Sequence, residues 1–100
     1  MKNMIIRGTT PTLVYKFKEV DVSTITEAYL NIAGAGALEK DLDDATVGED
    51  TIAWTLTQAE TLAMTGGVVS QINWKTSDGT RGASEQEYIE TLANAKNEVI

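Results

Sequence analysis

Along most of the chain apolar and polar residues alternate with the period of two that a half-buried strand imposes. In the run from Thr12 to Lys18, Leu13, Tyr15 and Phe17 share one face while Thr12, Val14, Lys16 and Lys18 share the other. Pro11 cannot donate a ladder hydrogen bond and suits the start of that strand, and Ile5 and Ile6 fall in an earlier one. From Ile25 to Ala33, Ala28, Leu30 and Ile32 oppose Glu27, Tyr29 and Asn31, and the run stops at the flexible Gly34-Ala35-Gly36. Leu38, Lys40 and Leu42 against Glu39, Asp41 and Asp43 make a weaker strand, followed by turn chemistry at Val47-Gly48-Glu49-Asp50. Ile52, Trp54 and Leu56 against Ala53 and Thr55 make a clear one.

The period changes at Thr57-Gln58-Ala59-Glu60, a capping box followed by helix-compatible Leu62, Ala63 and Met64, which predicts one short helical turn ended by Gly66-Gly67. The next strand puts Val68, Ser70, Ile72, Trp74 and Thr76 on a dry face. A two-residue loop at Asp78-Gly79 would bring Glu85 and Glu87 into the core, which is costly. A three-residue loop at Ser77-Asp78-Gly79, with Gly79 left-handed, sets Trp74 against Gly82, Ile72 against Ser84, Ser70 against Gln86 and Val68 against Tyr88. Both glutamates then face water, and Gly82 leaves room for the indole. The same residues support a helix instead. Ser84-Glu85-Gln86-Glu87 is itself a capping box, with Tyr88, Leu92, Ala95 and Val99 at helical spacing behind it, and taken alone these residues lean toward the helix.

Short strands punctuated by turns, with fourteen threonines supplying a β-branched bias, predict an all-β antiparallel β-sandwich of about seven strands with one short helix. A chain of 100 residues accommodates one such domain, spanning residues 1–100. The net charge of −7 opposes binding to nucleic acid or to an anionic membrane surface. The charge is also uneven: residues 1–20 hold Lys2, Arg7, Lys16 and Lys18 against Glu19, and residues 39–60 hold seven acids against Lys40. Segments of opposite sign favour weak association of the chain with copies of itself. The apolar run near the N-terminus is too short for a signal peptide, so the product is expected to stay where it is made.

Chemistry finds little purchase. With no His and no Cys, acid and base work would fall to carboxylates, Lys or Tyr. Glu39, Asp41, Asp43, Asp44, Glu49 and Asp50 form the densest oxygen-ligand cluster, but their outward alternation and non-EF-hand spacing predict a solvated acidic face with no metal site. The glycine pairs lack the Lys and the helix of a phosphate loop. No catalytic residue, cofactor or enzyme activity is expected. Trp54 and Trp74 lie in register with aliphatics and are expected in the core, with Trp74 as an anchor. Tyr29 shares its face with Glu27 and Asn31, which makes these three the candidate contact for a partner.

The segments "LDDATV" (42–47), "TLTQAETLAM" (55–64), "KTSDGT" (75–80) and "NEVI" (97–100) resemble a family of small immunoglobulin-like domains of phages and prophages, the N-terminal domain of phage baseplate upper proteins. The resemblance makes the expected all-β antiparallel β-sandwich immunoglobulin-like, and it implies that residues 82–92 pair back onto the strand carrying Trp74, although Glu85, Gln86 and Glu87 stand where that family has Ile and Val. It also implies a non-enzymatic structural role in a virion tail or baseplate, made in the bacterial cytoplasm, with other tail proteins or itself as partner. The alternative is a carbohydrate-binding or adhesion module at a cell surface.

Overall fold

The computed structural model describes residues 3–100. Two β-sheets face each other. The larger contains β1 (Asn3–Ile6), β3 (Ile25–Ala35), β4 (Leu38–Asp41), β7 (Thr65–Thr76), β8 (Arg81–Ala83) and β9 (Glu87–Leu92). Its path runs β1-β9-β7-β3-β4, with β8 on β7 beside β9. The smaller is β2 (Thr12–Lys16), β6 (Thr51–Thr55) and β5 (Thr46–Val47), in the order β2-β6-β5. The fold is an all-β sandwich. It has nine strands among the described residues rather than about seven, because the last strand is split into β8 and β9 and because Thr46–Val47 pairs with β6 where turn residues were expected. Every pairing is antiparallel except β1 with β9, where the chain's two ends run side by side.

The period of two becomes burial. Ala28, Leu30 and Ile32 from β3, Ile52 and Trp54 from β6, Leu56 just beyond it, and Val68 and Ile72 from β7 are all nearly or wholly inaccessible. Each such aliphatic contributes about 1.5–3 kcal/mol of transfer free energy, so the two inner faces supply the main drive for folding. Two buried hydroxyls are satisfied. Ser70 accepts from the Tyr15 hydroxyl at 3.1 Å across the sheets, and Thr61 donates to the Thr9 carbonyl at 2.7 Å.

The predicted helical turn is α1 (Gln58–Leu62), and its capping box is complete. The Glu60 amide donates to the Thr57 hydroxyl at 3.2 Å, and the Thr57 amide donates to Glu60 Oε1 at 2.7 Å. Burial alone would raise the Glu60 carboxyl, but the Thr57 N–H and the Lys40 ammonium, 3.0 Å away, outweigh it and hold its pKa below the ordinary value. That contribution is present above the unfolded value and fades as pH falls through the lowered one. Thr57→Ala should cost about 1 kcal/mol, a fall of roughly 4–8 °C in midpoint, and calorimetry at neutral pH checks it. The sequence pattern gave no sign of the 3-10 turn at Val22–Thr24, capped by Asp21, whose carboxylate accepts from the Ser23 amide at 3.0 Å.

The segment after Trp74 forms strand. Gly79 is left-handed at φ +90°, the loop is the three-residue one, and Trp74 stands opposite Gly82. Ile72 meets Ser84 through two bonds, Ser84 N to the Ile72 carbonyl at 2.9 Å and Ile72 N to Ser84 Oγ at 3.0 Å. Beyond Ser84 one extra residue enters, and the register moves to Ser70 with Glu87, Val69 with Tyr88 and Val68 with Ile89. The expected pairs Ser70–Gln86 and Val68–Tyr88 are thereby corrected. The slip lets Ile89, the one aliphatic of the segment able to fill the core beside Val68, turn inward at 3% exposure while Tyr88 turns out. That burial is what the competing helix could not match.

No helix among the described residues is long and apolar enough to cross a membrane.

Candidate interaction surface

The outer face of the larger sheet carries a row of polar side chains aligned by register. Tyr29 lies opposite Asn73, Glu27 opposite Lys75, and Asn31 opposite Gln71, while Lys75 also lies opposite Arg81. Residues directly opposite on one face have Cβ atoms about 4.5–5.5 Å apart, close enough to bond. A relay results. Arg81 Nη2 donates to Asn73 Oδ1 at 3.4 Å, Asn73 Nδ2 to Asn31 Oδ1 at 3.2 Å, and Asn31 Nδ2 to Glu39 Oε1 at 2.7 Å, crossing β8, β7, β3 and β4.

The predicted trio Glu27, Tyr29 and Asn31 is brought together on this face. The Tyr29 hydroxyl donates to Glu27 Oε1 at 2.8 Å, and that bond, with the negative charge around it, raises the phenol's pKa. Glu27 and Tyr29, with Asn73, Trp74, Lys75 and Arg81, line a shallow depression of about 260 Å³. Asn73, Lys75 and Arg81 were not singled out from sequence. The signal available in the sequence was the hairpin register, which sets Lys75 opposite Arg81, whereas Asn73 falls opposite Ala83 and joins the polar row through its pairing with Tyr29. The depression offers hydrogen-bond donors and acceptors held in place by the relay, suited to docking a polar surface.

The acidic cluster is dispersed into local roles. Asp41 accepts from the Asp43 amide at 3.0 Å as a cap for a 3-10 turn at Leu42–Asp44, Glu39 is taken by Asn31, and Asp50 lies 3.7 Å from Lys16. Among the described residues no three acids gather as metal ligands would. Thermal midpoints measured with millimolar Ca²⁺ and with chelator should therefore coincide, since a ligand raises stability only by binding the native state preferentially. The contrast between a basic start and an acidic middle is partly used inside the chain, because β2 and β6 are neighbours and Lys16 reaches Asp50. Lys2, part of that basic start, lies outside the described residues.

The tryptophans differ. Trp54 is inaccessible, edge-on to Tyr15 with centroids 6.1 Å apart, and its Nε1 donates to the Asp41 carbonyl at 2.8 Å. Trp74 is only partly buried, edge-on to Phe17 at 5.0 Å and lying over Gly82, where a Cβ would stand 2.5 Å from the ring. Trp74 is among the residues lining both the depression at Tyr29 and a cleft beside Phe17.

No family model matches the chain, and no curated protein matches it. Several solved structures share the fold, among them these two. The N-terminal domain of ORF48 of phage TP901-1 superposes with a TM-score of 0.57 at 7% identity, over 94% of this chain and 85% of that one. A putative glycoside hydrolase from Bacteroides vulgatus ATCC 8482 superposes with a TM-score of 0.53 at 13% identity, over 95% of this chain and 17% of that one. The chain thus spans about a sixth of the hydrolase's length and most of the phage domain. At these identities the likeness is one of fold, and it joins this chain to a domain architecture that a phage protein carries at its N-terminus.

Proposed function

We propose that the chain is a non-enzymatic assembly domain of a phage or prophage tail or baseplate. The observation that carries this reading is the two-way coverage of the ORF48 domain, 94% and 85%, since the likeness extends over the whole sandwich rather than a shared motif. Fold alone does not carry function, so the site must add to it. Its contribution is a flat polar face organised by the Arg81–Asn73–Asn31–Glu39 relay, the kind of surface that sets orientation between subunits more than it sets affinity. Absence of His and Cys from the sequence, and the structural bonds made by the buried hydroxyls of Thr61 and Ser70, support a role without catalysis. Mass spectrometry of particles purified from a host that carries the gene tests the reading. The chain is expected in the particles at several copies per tail, and its presence in the lysate but not in particles would overturn it.

Self-association belongs to the same proposal. Exposed Lys18 and exposed Asp43, Asp44 and Glu49 leave charge of both signs on the surface to steer copies together after Lys16 and Lys40 have met acids within the chain. Such steering is screened over about 10 Å at 0.1 M ionic strength, so weak association should strengthen as salt is lowered. Sedimentation velocity at two salt concentrations reads it, and a monomer at both would shift the partner to another protein.

A carbohydrate-binding module is the second reading, favoured by the partly exposed Trp74 indole bordering a cleft that also holds Glu85. Glycan-array binding that Trp74→Ala abolishes would promote it over the first.

A further inference from the structure

The two sheets are unequal, and the difference falls on one side. Strand β2 is the edge of the smaller sheet and pairs only with β6. Phe17 N donates to the Asp50 carbonyl at 2.8 Å, and Leu56 N donates to the Pro11 carbonyl at 2.9 Å. In an antiparallel ladder these bonds fix the odd residues of β2 as the ones facing β6. The backbone N–H and C=O groups of Thr12, Val14 and Lys16 therefore point the other way, along an edge where no strand among the described residues lies. Beneath that edge the larger sheet continues. A cleft of about 840 Å³ lies between β2 and the β8–β9 connection, with Tyr15, Phe17, Ile72, Trp74, Ser84 and Glu85 among its walls. A second depression of about 260 Å³, sharing Tyr15 with the first, prolongs it past Leu13 toward Ile5 and Ile89.

We propose that this edge receives an extended segment of a partner protein, which adds as a fourth strand beside β2 and lays alternate apolar side chains against the partly exposed rings of Tyr15 and Trp74. The inference rests on the strand geometry and on the charges around the edge, and it stands apart from the phage reading. An extended chain of about five residues matches β2, at roughly 3.4 Å per residue. Backbone bonds to Thr12, Val14 and Lys16 would supply affinity, and the cleft would select side chains at every second position.

Charge selects the occupant. Lys18, next to the edge, is exposed, and Lys16, on it, stays exposed although Asp50 lies 3.7 Å away. Lysines at an edge deter pairing with an identical edge, so a second copy's β2 is repelled, and the projecting β9 and β1 beneath the edge further obstruct another folded sandwich. An incoming strand with Asp or Glu at its solvent-facing positions is attracted by the same lysines. Where it meets Glu85 and Glu87, which line the cleft across from β2, it should carry neutral or basic residues, so its acids belong only on the solvent-facing side. The occupant is thus an acidic, period-two peptide segment rather than a copy of this domain.

The test uses the whole chain and an array of acetylated eight-residue peptides that alternate Val, Ile or Leu with Thr, Glu or Lys. Binders are expected to be those with Glu at solvent-facing positions. Val14→Pro removes an N–H that β6 does not use, so it should leave the melting midpoint nearly unchanged and weaken the best peptide at least tenfold. On the unaltered protein, N-methylating alternate amides along one edge of that peptide should abolish binding, and along the other edge should leave it intact. An array without binders above scrambled controls, or equal loss from both methylated series, would overturn the proposal. So would undiminished binding to folded Val14→Pro.

Discussion

Trp54→Ala should cost about 3–5 kcal/mol, a large part of the roughly 5–15 kcal/mol that holds a domain of this size together. Three losses coincide at this residue. Its side chain is wholly inaccessible, so truncation opens a cavity between sheets that have no spare atoms to fill it. The edge contact with Tyr15 disappears, and with it part of what positions the Tyr15 hydroxyl on Ser70. The Asp41 carbonyl loses the indole N–H, its 2.8 Å donor at the point where β4 passes into the 3-10 turn. Trp54→Phe, which keeps a ring but not the N–H, should recover more than half of the loss. Trp74→Ala should cost clearly less than Trp54→Ala, because its indole already meets solvent. Urea melts of the three variants give the ranking. A Trp54→Ala loss below about 1 kcal/mol, the range of surface substitutions, would place the indole outside the core.

That ranking reverses the emphasis reached from sequence, where Trp74 was the expected anchor, and the reason is physical. Period two tells which face a side chain takes but not how well the opposite sheet covers that face. Trp54 sits on the middle strand of the smaller sheet, whereas Trp74 lies on the part of β7 where the smaller sheet ends and meets Phe17, just past the end of β2, edge-on. Coverage depends on which strands stack, and that is decided by pairings distant in sequence. The same limit explains the C-terminal segment. Ser84 to Glu87 satisfies the local pattern of a helix start, and only the burial of Ile89 against Val68, together with β1 arriving from the other end of the chain, tips it to strand. Local signals were sufficient where both partners are close, as in the Ser77-Asp78-Gly79 loop and the Gly82 seat for Trp74. Of the interaction surface, the trio Glu27, Tyr29 and Asn31 was legible from alternation. Its neighbours Asn73 and Lys75 needed the β3–β7 register, which brings together residues more than forty positions apart, while Arg81 follows from the local β7–β8 hairpin.

Gly36→Ala should be the most damaging of the small substitutions, at about 2–4 kcal/mol, and it separates two requirements that a sequence reading merges under the word turn. Gly36 has φ +87°, a left-handed conformation that costs an alanine about 1–2 kcal/mol. Its position adds a second cost. A Cβ there would stand 2.7 Å from the Ala63 carbonyl oxygen and 2.8 Å from Met64 Cα, main-chain atoms at the end of α1 that cannot swing aside as a side-chain tip would. Met64 is itself wholly inaccessible, so any retreat of that segment pulls on the core. Gly66 provides the control, since it is also left-handed, at φ +67°, with nothing within 4 Å of the added Cβ. Gly66→Ala should therefore show the conformational cost alone. The difference between the two variants measures how tightly the β3–β4 hairpin is pressed onto the residues that join α1 to β7. If denaturant melts found the two equally mild, that close approach would have to be given up, and with it the account of Gly36 as anything more than a flexible link.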